Sequence, residues 1–411
     1  MIILESAESI LSIKRKTSID EYVEKVKEIV EEVRKKGDKA IIEFTERFDG
    51  VKLNPEKFKI NEDEIERAYE VVEYDLIDAL ELARENIEKF HTITAPQETF
   101  VDFDYAFMGK KYVPIESVGV YVPGGRASYP STALMACIPA KIAGVNRIVV
   151  CTPPSKNGSV NPITLVACDM GGANEIYRIG GAQSIAALAY GTETIKPVLK
   201  IVGPGNIYVT AAKILVSKDV AIDMPAGPSE ILIIADDTAD PDLIALDCLA
   251  QLEHDPMAVA VVLTTSDYII KSLTEKIKKD VKNLYLAKVS SIEKAIELSN
   301  LFAPEHLELV FDGAENSINL IKNAGSVFIG EYSGVAFGDY ISGTNHILPT
   351  AGYAKMFSGL SVETFMKSIT FQQIREKGVF MMCEKAAKIA KAEGLEYHAL
   401  SLEERIKKLK G

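Results

Sequence analysis

From residue 118 onward, short runs of β-branched residues alternate with segments long enough to form helices. Parallel strands need a crossover connection of a dozen or more residues, and such helices provide it. We therefore predict an α/β fold of two doubly wound, mostly parallel units, spanning residues 121–229 and 230–360, followed by a helical tail over 361–411. The runs are VGVYVP (118–123), RIVVC (147–151), EIYRIG (175–180), LKIVG (199–203), VAIDM (220–224), ILIIA (231–235), AVAVVL (258–263), LELVF (307–311) and SVFIG (326–330).

Residues 1–120 show the 3.6-residue periodicity of amphipathic helices. Ser18 and Glu21 have the spacing of a capping box, and apolar residues at helical spacing follow them. A second start signal predicts one helix from Ile65 to about His91. We expect this N-terminal helical region to pack on the second α/β unit.

Composition excludes several classes of protein. The chain has 46 Lys and Arg against 59 Asp and Glu, and its net charge of −13 argues against a general nucleic-acid binder. The five cysteines are scattered without CxxC spacing, which favours reduced thiols in the cytoplasm. Charges interrupt the apolar residues of the N-terminus, and the longest apolar runs have the length of strands. We therefore expect a cytoplasmic protein without a membrane span.

Gln251 and His254 form the first candidate site. Asp240 suits an N-cap and Pro241 the first helical position, so Gln251 and His254 are predicted at i and i+3 on one helical face. Side chains in this arrangement can point at one metal ion. The QxxH motif alone is also typical of a surface histidine near a helix end.

The loop GDYISGTNHILPT (338–350) holds Asp339 and His346 just after the run SVFIG. Open α/β sheets bind ligands outside the carboxyl ends of their strands, so this position favours a ligand site. A plain turn could have the same composition.

Glu305 and His306 lie in FAPEHLELV, just before a predicted strand. Imidazole titrates near neutrality and burial can raise a carboxyl pKa toward it, so the pair could serve two proton-transfer steps. An N-capping glutamate beside a half-buried histidine is the alternative reading.

The first α/β unit contains glycine-rich segments at 122–131, 180–187 and 203–206. Turns of this kind expose backbone N–H groups to an anion such as phosphate. The segment after Gly203 has Tyr208 where a dinucleotide fingerprint needs its third glycine, so that motif alone does not establish a Rossmann cofactor. Ser229, in the junction PAGPSE, could donate to a ligand in a cleft or belong to a plain linker.

Together these segments resemble the histidinol dehydrogenase family over residues 110–400. The matching pieces, in family order, are YVPGG, CTPP, GGAQ, GPGN, PAGPSE, QLEHD, APEHL, GDYISGTNHILPT and EGLEYH. The resemblance implies oxidation of L-histidinol to L-histidine through histidinal, in two NAD-linked steps. It also implies one zinc ion per site and a homodimer.

By position, the resemblance assigns four zinc ligands and two catalytic residues. The zinc ligands are Gln251, His254, Asp339 and His398, with His398 donated across the dimer interface by the C-terminal tail. Three histidines, His254, His306 and His398, would thus lie at or beside one divalent ion. In catalysis His306 would take the hydroxyl proton, and Glu305 would activate water for attack on the aldehyde.

The resemblance also assigns residues that contact substrate and cofactor. Ser229 and Glu393 would contact substrate together with the metal ligands and His306, and His346 matches a family histidine near the substrate. The residues expected at the NAD site are Tyr121, Gln183 and Asn206.

One position departs from the family pattern. Many members have a Pro-Glu pair before the zinc-binding aspartate, where this chain has Gly334 and Val335.

Two other functions remain as alternatives. A thiol-dependent aldehyde dehydrogenase would need a thiolate at Cys137 or Cys151, neither of which has an activating base adjacent in sequence. A non-catalytic zinc- and metabolite-binding protein would form no NADH.

Overall fold

The computed structural model describes residues 1–15, 19–124, 128–225, 227–277 and 281–410. The capping residue predicted at Ser18 lies outside these ranges, as do three residues of the glycine-rich segment 122–131 and one of PAGPSE. The chain divides into a larger unit, Met1–Thr94 with Ile115–Phe365, and a smaller unit, Ala95–Pro114 with Met366–Gly411.

The larger unit contains two parallel sheets and most of the helices. Its α-helices are α1 (Ile19–Lys36), α2 (Asp38–Asp49), α3 (Glu62–Val71), α4 (Tyr74–Ile93), α5 (Pro130–Ala143), α6 (Pro162–Gly171), α7 (Gly181–Tyr190), α8 (Ile207–Val216), α9 (Pro241–Glu253), α10 (Asp267–Lys276), α11 (Ile292–Phe302) and α12 (Val335–Tyr340). Its strands are β1 (Ile2–Ile3), β4 (Ser117–Tyr121), β5 (Arg147–Cys151), β6 (Glu175–Tyr177), β7 (Lys200–Val202), β8 (Ala221–Ile222), β9 (Glu230–Ala235), β10 (Val259–Thr264), β11 (Leu284–Lys288), β12 (His306–Val310) and β13 (Ser326–Ile329). Short 3₁₀ helices cover Ala7–Ser12, Pro55–Lys57, Ala314–Leu320, Tyr353–Lys355 and Val362–Phe365.

The first sheet has five strands in the order β6-β5-β4-β7-β8, and every pair is parallel. The second has six strands in the order β1-β11-β10-β9-β12-β13, again all parallel. A buried apolar cluster lies on each face of the second sheet. The predicted α/β class is confirmed, because each apolar run in the sequence forms a strand covered by helices.

We expected the N-terminal helices to pack on the second sheet, but they pack on the first. Helix α1 contacts α7 and α8, while α3 and α4 contact α6 and α5. Val26, Val30 and Val33 of α1 share one buried cluster with residues of α7 and α8. Helix α7 is buried almost all round, so it needs an outer layer that α1 supplies. To the second sheet, the N-terminus adds β1 and the 3₁₀ helix Ala7–Ser12.

The helix predicted from Ile65 to His91 is two helices in the structure. Helix α3 ends at Val71, and both Val72 and Glu73 have extended backbone before α4 begins at Tyr74. No glycine or proline marks the break, so the sequence periodicity runs through it without a signal.

The smaller unit contains β2 (Thr99–Phe103), β3 (Ala106–Pro114), β14 (Met366–Ile374), α13 (Glu376–Ala392) and α14 (Glu396–Lys410). Its three strands form an antiparallel sheet in the order β14-β3-β2. The predicted helical tail is therefore wrong over β14, and the predicted N-terminal helical region is wrong over β2 and β3. Strand β14 is mostly exposed and polar, and it is held by pairing with a distant segment that no local pattern reveals.

No α-helix within the described ranges is long and apolar enough to cross a membrane.

Removing part of Val33 tests the packing of α1. The Val33 side chain is fully buried, so Val33→Ala should weaken the α1 contact by about 2 kcal/mol, at roughly 0.8 kcal/mol per buried methylene plus a cavity term. Hydrogen exchange of α7 and α8 amides should then accelerate, while that of α9 and α10 stays unchanged. Val71→Ala, at a position 66% exposed, is the control. Equal acceleration in α9 and α10 would contradict this packing.

Candidate active site

A cavity of about 670 Å³ in the larger unit is bounded by both parallel sheets. On the side of the first sheet, its lining includes Gly124 after β4 and the segment 203–207 after β7. On the side of the second sheet, it includes Ser229 just before β9, and Glu305 and His306 at the start of β12. The volume suits a small ligand together with part of a dinucleotide.

The segment leading into β12 is held by close backbone contacts. Ala303 ends α11 in the left-handed conformation, with φ of 55°. Gly325 and Ser326 then donate backbone hydrogen bonds to Pro304 O and Glu305 O, each at 2.9 Å. A Cβ at Gly325 would lie 2.6 Å from Glu305 O, so only glycine permits this approach. The backbone of Glu305 is therefore fixed by the strand beside it.

Glu305 has a buried carboxyl group directly at the cavity. Its Oε2 accepts a hydrogen bond of 2.8 Å from the backbone N–H of Glu230, and Ser229 provides a further side-chain hydrogen bond. Burial raises the pKa of Glu305 well above its usual value, and the neighbouring carboxylates of Glu230 and Asp339 raise it further. A carboxyl group whose pKa is raised in this way is a stronger base once it is ionised.

His306 is buried and hydrogen-bonded through one ring nitrogen. Its Nδ1 lies 3.0 Å from the side-chain oxygen of Gln251. Because an amide oxygen only accepts, Nδ1 carries the proton and Nε2 keeps its lone pair. Burial lowers the pKa of His306 to about 4, so the imidazole is neutral and able to accept a proton.

Asp339 lies between two histidines. Its Oδ2 is 3.8 Å from His254 Nε2, and its Oδ1 is 3.8 Å from His306 Nε2. Gln251 and His254 come from the last turn of α9, where His254 keeps helical dihedrals as the C-cap. The buried amide nitrogen of Gln251 has no hydrogen-bond partner in the part of the chain that the structure describes. The atoms here that could bind a metal ion are His254 Nε2, the Asp339 carboxylate oxygens and the side-chain oxygen of Gln251.

We predicted a ligand site outside the carboxyl ends of the strands, and for the second sheet this prediction was wrong. Asp339 follows β13, yet its carboxylate lies beside His306 at the amino end of the neighbouring strand. Helix α12 carries Asp339 back toward the amino end of β12. This helix packs closely on β13, since a Cβ at Gly338 would lie only 2.6 Å from the Phe328 ring. The carboxyl-end rule holds for the first sheet, where the segments after β4 and β7 line the cavity.

His346 uses both ring nitrogens in holding this loop. Its Nδ1 donates to the backbone oxygen of Asp339 at 2.7 Å, and the Thr132 hydroxyl donates to its Nε2 at 3.1 Å. The carbonyl can only accept, which fixes the tautomer. His346 lines the cavity, and these bonds give it a role in placing Asp339.

Two of the three residues predicted at the NAD site line the cavity. The Tyr121 hydroxyl accepts from the backbone N–H of Gly181 at 3.2 Å, and Asn206 caps α8 through its side-chain oxygen. Gln183 is not among the residues that line this cavity. It is buried in α7, and neither end of its amide has a hydrogen-bond partner within the described residues.

A buried ion pair that the sequence analysis missed supports the turn after β7. Lys213 forms a salt bridge with Asp223 and donates to Gly203 O at 2.9 Å, while Asp223 accepts from Gly203 N at 2.8 Å. Both charged residues line the cavity. A lysine within the otherwise apolar helix IYVTAAKILV was the signal available in the sequence.

Glu393 and His398 belong to the smaller unit. Glu393 is the C-cap of α13, His398 lies in the first turn of α14, and both side chains are exposed. Their assignment to substrate and metal stays a prediction.

Comparison with known proteins decides the family. A family model described as histidinol dehydrogenase matches residues 13–406. The chain belongs to the histidinol dehydrogenase family. The histidinol dehydrogenase of Archaeoglobus fulgidus is 58% identical over 405 residues, covering 98% of this chain and 100% of that protein. That of Methanothermobacter thermautotrophicus is 48% identical over 409 residues, covering 96% of each. A crystal structure of histidinol dehydrogenase from Elizabethkingia anophelis matches with a TM-score of 0.93 at 38% identity, covering 100% of this chain and 98% of that one.

The departure from the histidinol dehydrogenase pattern lies outside the cavity lining. Gly334 is the N-cap of α12, and Val335 is buried with its N–H donating to Glu308 at 2.9 Å. Burial and the nearby carboxyl group of Asp247 raise the pKa of Glu308 to about 8. In this family member, therefore, a buried and largely protonated carboxyl group supports the start of the helix that carries Asp339.

The cysteines do not support the thiol-dependent alternative. Cys137 and Cys151 are fully buried and do not line the cavity. Burial raises the pKa of the Cys137 thiol to about 12 and that of Cys151 still higher, so neither forms a thiolate at neutral pH. Family membership likewise disfavours that alternative.

Proposed function

We propose that this chain oxidises L-histidinol to L-histidine through histidinal, using two NAD and one water per turnover, as a zinc-dependent homodimer. Family membership over residues 13–406 supports an NAD-linked oxidoreductase of histidine biosynthesis. The observation that carries the mechanism is the meeting of His254, Glu305, His306 and Asp339 at one wall of the cavity. Gln251 is buried behind this wall and hydrogen-bonded to His306.

The donor set fits zinc chemically. Among the described residues, no group of three His, Cys, Asp or Glu side chains is placed to hold a metal ion. The proposed set adds an amide oxygen and a histidine from the partner subunit. His254 Nε2 and Asp339 Oδ2 are 3.8 Å apart, close to the roughly 3.4 Å between tetrahedral ligands with bonds of about 2.1 Å. The side-chain oxygen of Gln251, on the same face of α9 as His254, would be the third ligand. His398 of the partner subunit would complete the set.

Zinc, when bound, supplies positive charge that orients the nitrogen atoms of the substrate, and bound NAD accepts a hydride in each step. The protein holds the remaining reactive groups in place. His346 fixes the backbone at Asp339. Ser229, Glu393 and His346 would contact substrate, and the residues that would contact NAD are Tyr121, Gln183 and Asn206.

His306 is the base of the first step. Its neutral imidazole has an Nε2 lone pair directed away from the Nδ1 bond with Gln251. It takes the hydroxyl proton of histidinol as the C–H bond gives up its hydride, which leaves the aldehyde. The bond from Nδ1 to Gln251 also stabilises the imidazolium that forms.

Glu305 is the base of the second step. When ionised, it takes a proton from the water that adds to the aldehyde carbon. The hydrate anion then gives its remaining carbon-bound hydrogen as hydride to the second NAD, and the carboxylic acid that results releases its proton to become the carboxylate of histidine. The hydrogen bonds from Glu230 N–H and Ser229 hold the carboxylate toward the cavity.

Absorbance of NADH tests the reaction directly. The purified dimer with zinc should form two NADH per histidinol consumed, and chelation should stop the reaction until zinc is restored. Zinc-dependent binding of histidinol without any NADH would instead indicate a non-catalytic binding protein.

Glu305→Gln should separate the two half-reactions. It removes the second base, so we expect histidinal oxidation to fall by about 100-fold or more, while histidinol oxidation falls less than about tenfold. Rapid-mixing measurements with each substrate give the ratio. Glu308→Gln, on the same strand but outside the cavity lining, is the matched control and should leave the ratio unchanged. Equal losses in both half-reactions for Glu305→Gln would refute this division of roles.

Mixed dimers test whether each site receives its His398 from the partner subunit. His254→Ala and His398→Ala should each be inactive alone. After random subunit exchange half of the dimers are mixed and each has one intact site of two, so about one quarter of the wild-type activity should return. Differently tagged subunits confirm the exchange. If exchanged dimers stay inactive, His398 acts within its own chain.

A further inference from the structure

Arg15 lies in the segment before α1. It contacts the first residue of β9 and the last residue of α11, and both elements lie beside Glu305. Its Nη1 donates to Glu230 Oε1 at 2.8 Å, and its Nη2 donates to Phe302 O at 2.7 Å. The guanidinium carbon also lies 3.6 Å from the centre of the Phe302 ring. Arg15 is therefore held by an ion pair, a backbone acceptor and an aromatic face at once.

Both partners of Arg15 lead directly to Glu305. Phe302 is the last residue of α11, three positions before Glu305. Glu230 begins β9, and its backbone N–H donates to Glu305 Oε2 at 2.8 Å. Arg15 itself is not among the residues that line the cavity, so any effect on the reaction passes through these neighbours.

The charge of Glu230 needs a partner. Its side chain is 1% exposed, and Arg15 is the cation with which it forms an ion pair in the described structure. A buried carboxylate without compensation is unfavourable, and it also opposes ionisation of a second carboxyl group beside it. Burial raises the pKa of Glu230, and the Arg15 guanidinium opposes that rise. Without the guanidinium, any negative charge that Glu230 keeps would oppose ionisation of Glu305 at the step that requires it.

We infer that Arg15 is a positioning residue for the second oxidation: its guanidinium compensates the buried carboxylate of Glu230, whose backbone N–H holds the Glu305 carboxyl group, so that Glu305 meets no uncompensated negative charge from this neighbour when it activates water. This inference rests on the proposed function, in which Glu305 activates water. It assigns the N-terminal segment a role in the chemistry of histidinal and not in that of histidinol.

The test compares half-reactions in the full-length, zinc-loaded dimer. Arg15→Gln should lower histidinal oxidation by about tenfold, because the charge beside Glu305 is then uncompensated, and histidinol oxidation by less than about threefold. Arg15→Lys, which keeps the charge, should retain most of the histidinal rate. Glu230→Gln should keep the wild-type ratio, because it removes the charge that Arg15 compensates. The double variant Arg15→Gln with Glu230→Gln should return the ratio to within about threefold of wild type, since no uncompensated buried charge remains.

Arg147→Gln is the matched control. Arg147 also forms a part-buried ion pair, with Glu175 on the first sheet, away from Glu305. It should leave the ratio of half-reactions unchanged even if it lowers the unfolding temperature. If Arg15→Gln does not fold, the double variant and Arg15→Lys still decide the matter through the same ratio.

Two results would overturn the inference: an unchanged ratio of half-reactions in Arg15→Gln, whether both rates fall equally or neither falls, or no recovery of the ratio in a folded double variant. Absence of NADH with the wild-type enzyme would instead refute the proposed function, so the two failures are distinguishable.

Discussion

The parallel pairing of β9 with β12 is the constraint on which the rest of the site depends. In this register His306 lies opposite Ile231, so Glu230 and Glu305 are neighbours at the amino ends of the two strands. The backbone N–H of Glu230 then meets the Glu305 carboxyl group, and the side chain of Glu230 turns to Arg15. A register shift of one residue would turn both His306 and Glu308 to the other face of the sheet.

Burial determines the protonation of the two proposed bases in opposite directions. It keeps His306 neutral, which makes the imidazole ready to accept a proton. It also disfavours the ionised form of Glu305, so that residue depends on its hydrogen-bond donors and on compensation of the charges around it. The ion pair between Arg15 and Glu230 is thus more than an anchor for the N-terminal segment. In our inference it also favours ionisation of Glu305, the base of the second step.

Local sequence patterns identified the elements whose own residues show strand-length apolar runs or helical periodicity. The apolar runs predicted both parallel sheets, and helical spacing placed Gln251 and His254 on one face of α9. Resemblance over many short motifs supplied the family, which the comparisons confirmed. Local pattern missed β14, because a polar, exposed strand lacks hydrophobic alternation, and it missed the break at Val72, where no glycine or proline interrupts the periodicity.

The sequence by itself determined the α/β class, the family and the residue types available for proton transfer and metal binding, since these follow from periodicity, turn chemistry and side-chain chemistry. Only the tertiary structure decided that α1 covers the first sheet, that α12 returns Asp339 to His306, and that Arg15 reaches Glu230. The reason is physical: an amphipathic stripe or a charged side chain specifies that a partner is needed, whereas long-range packing and strand register select which partner it meets.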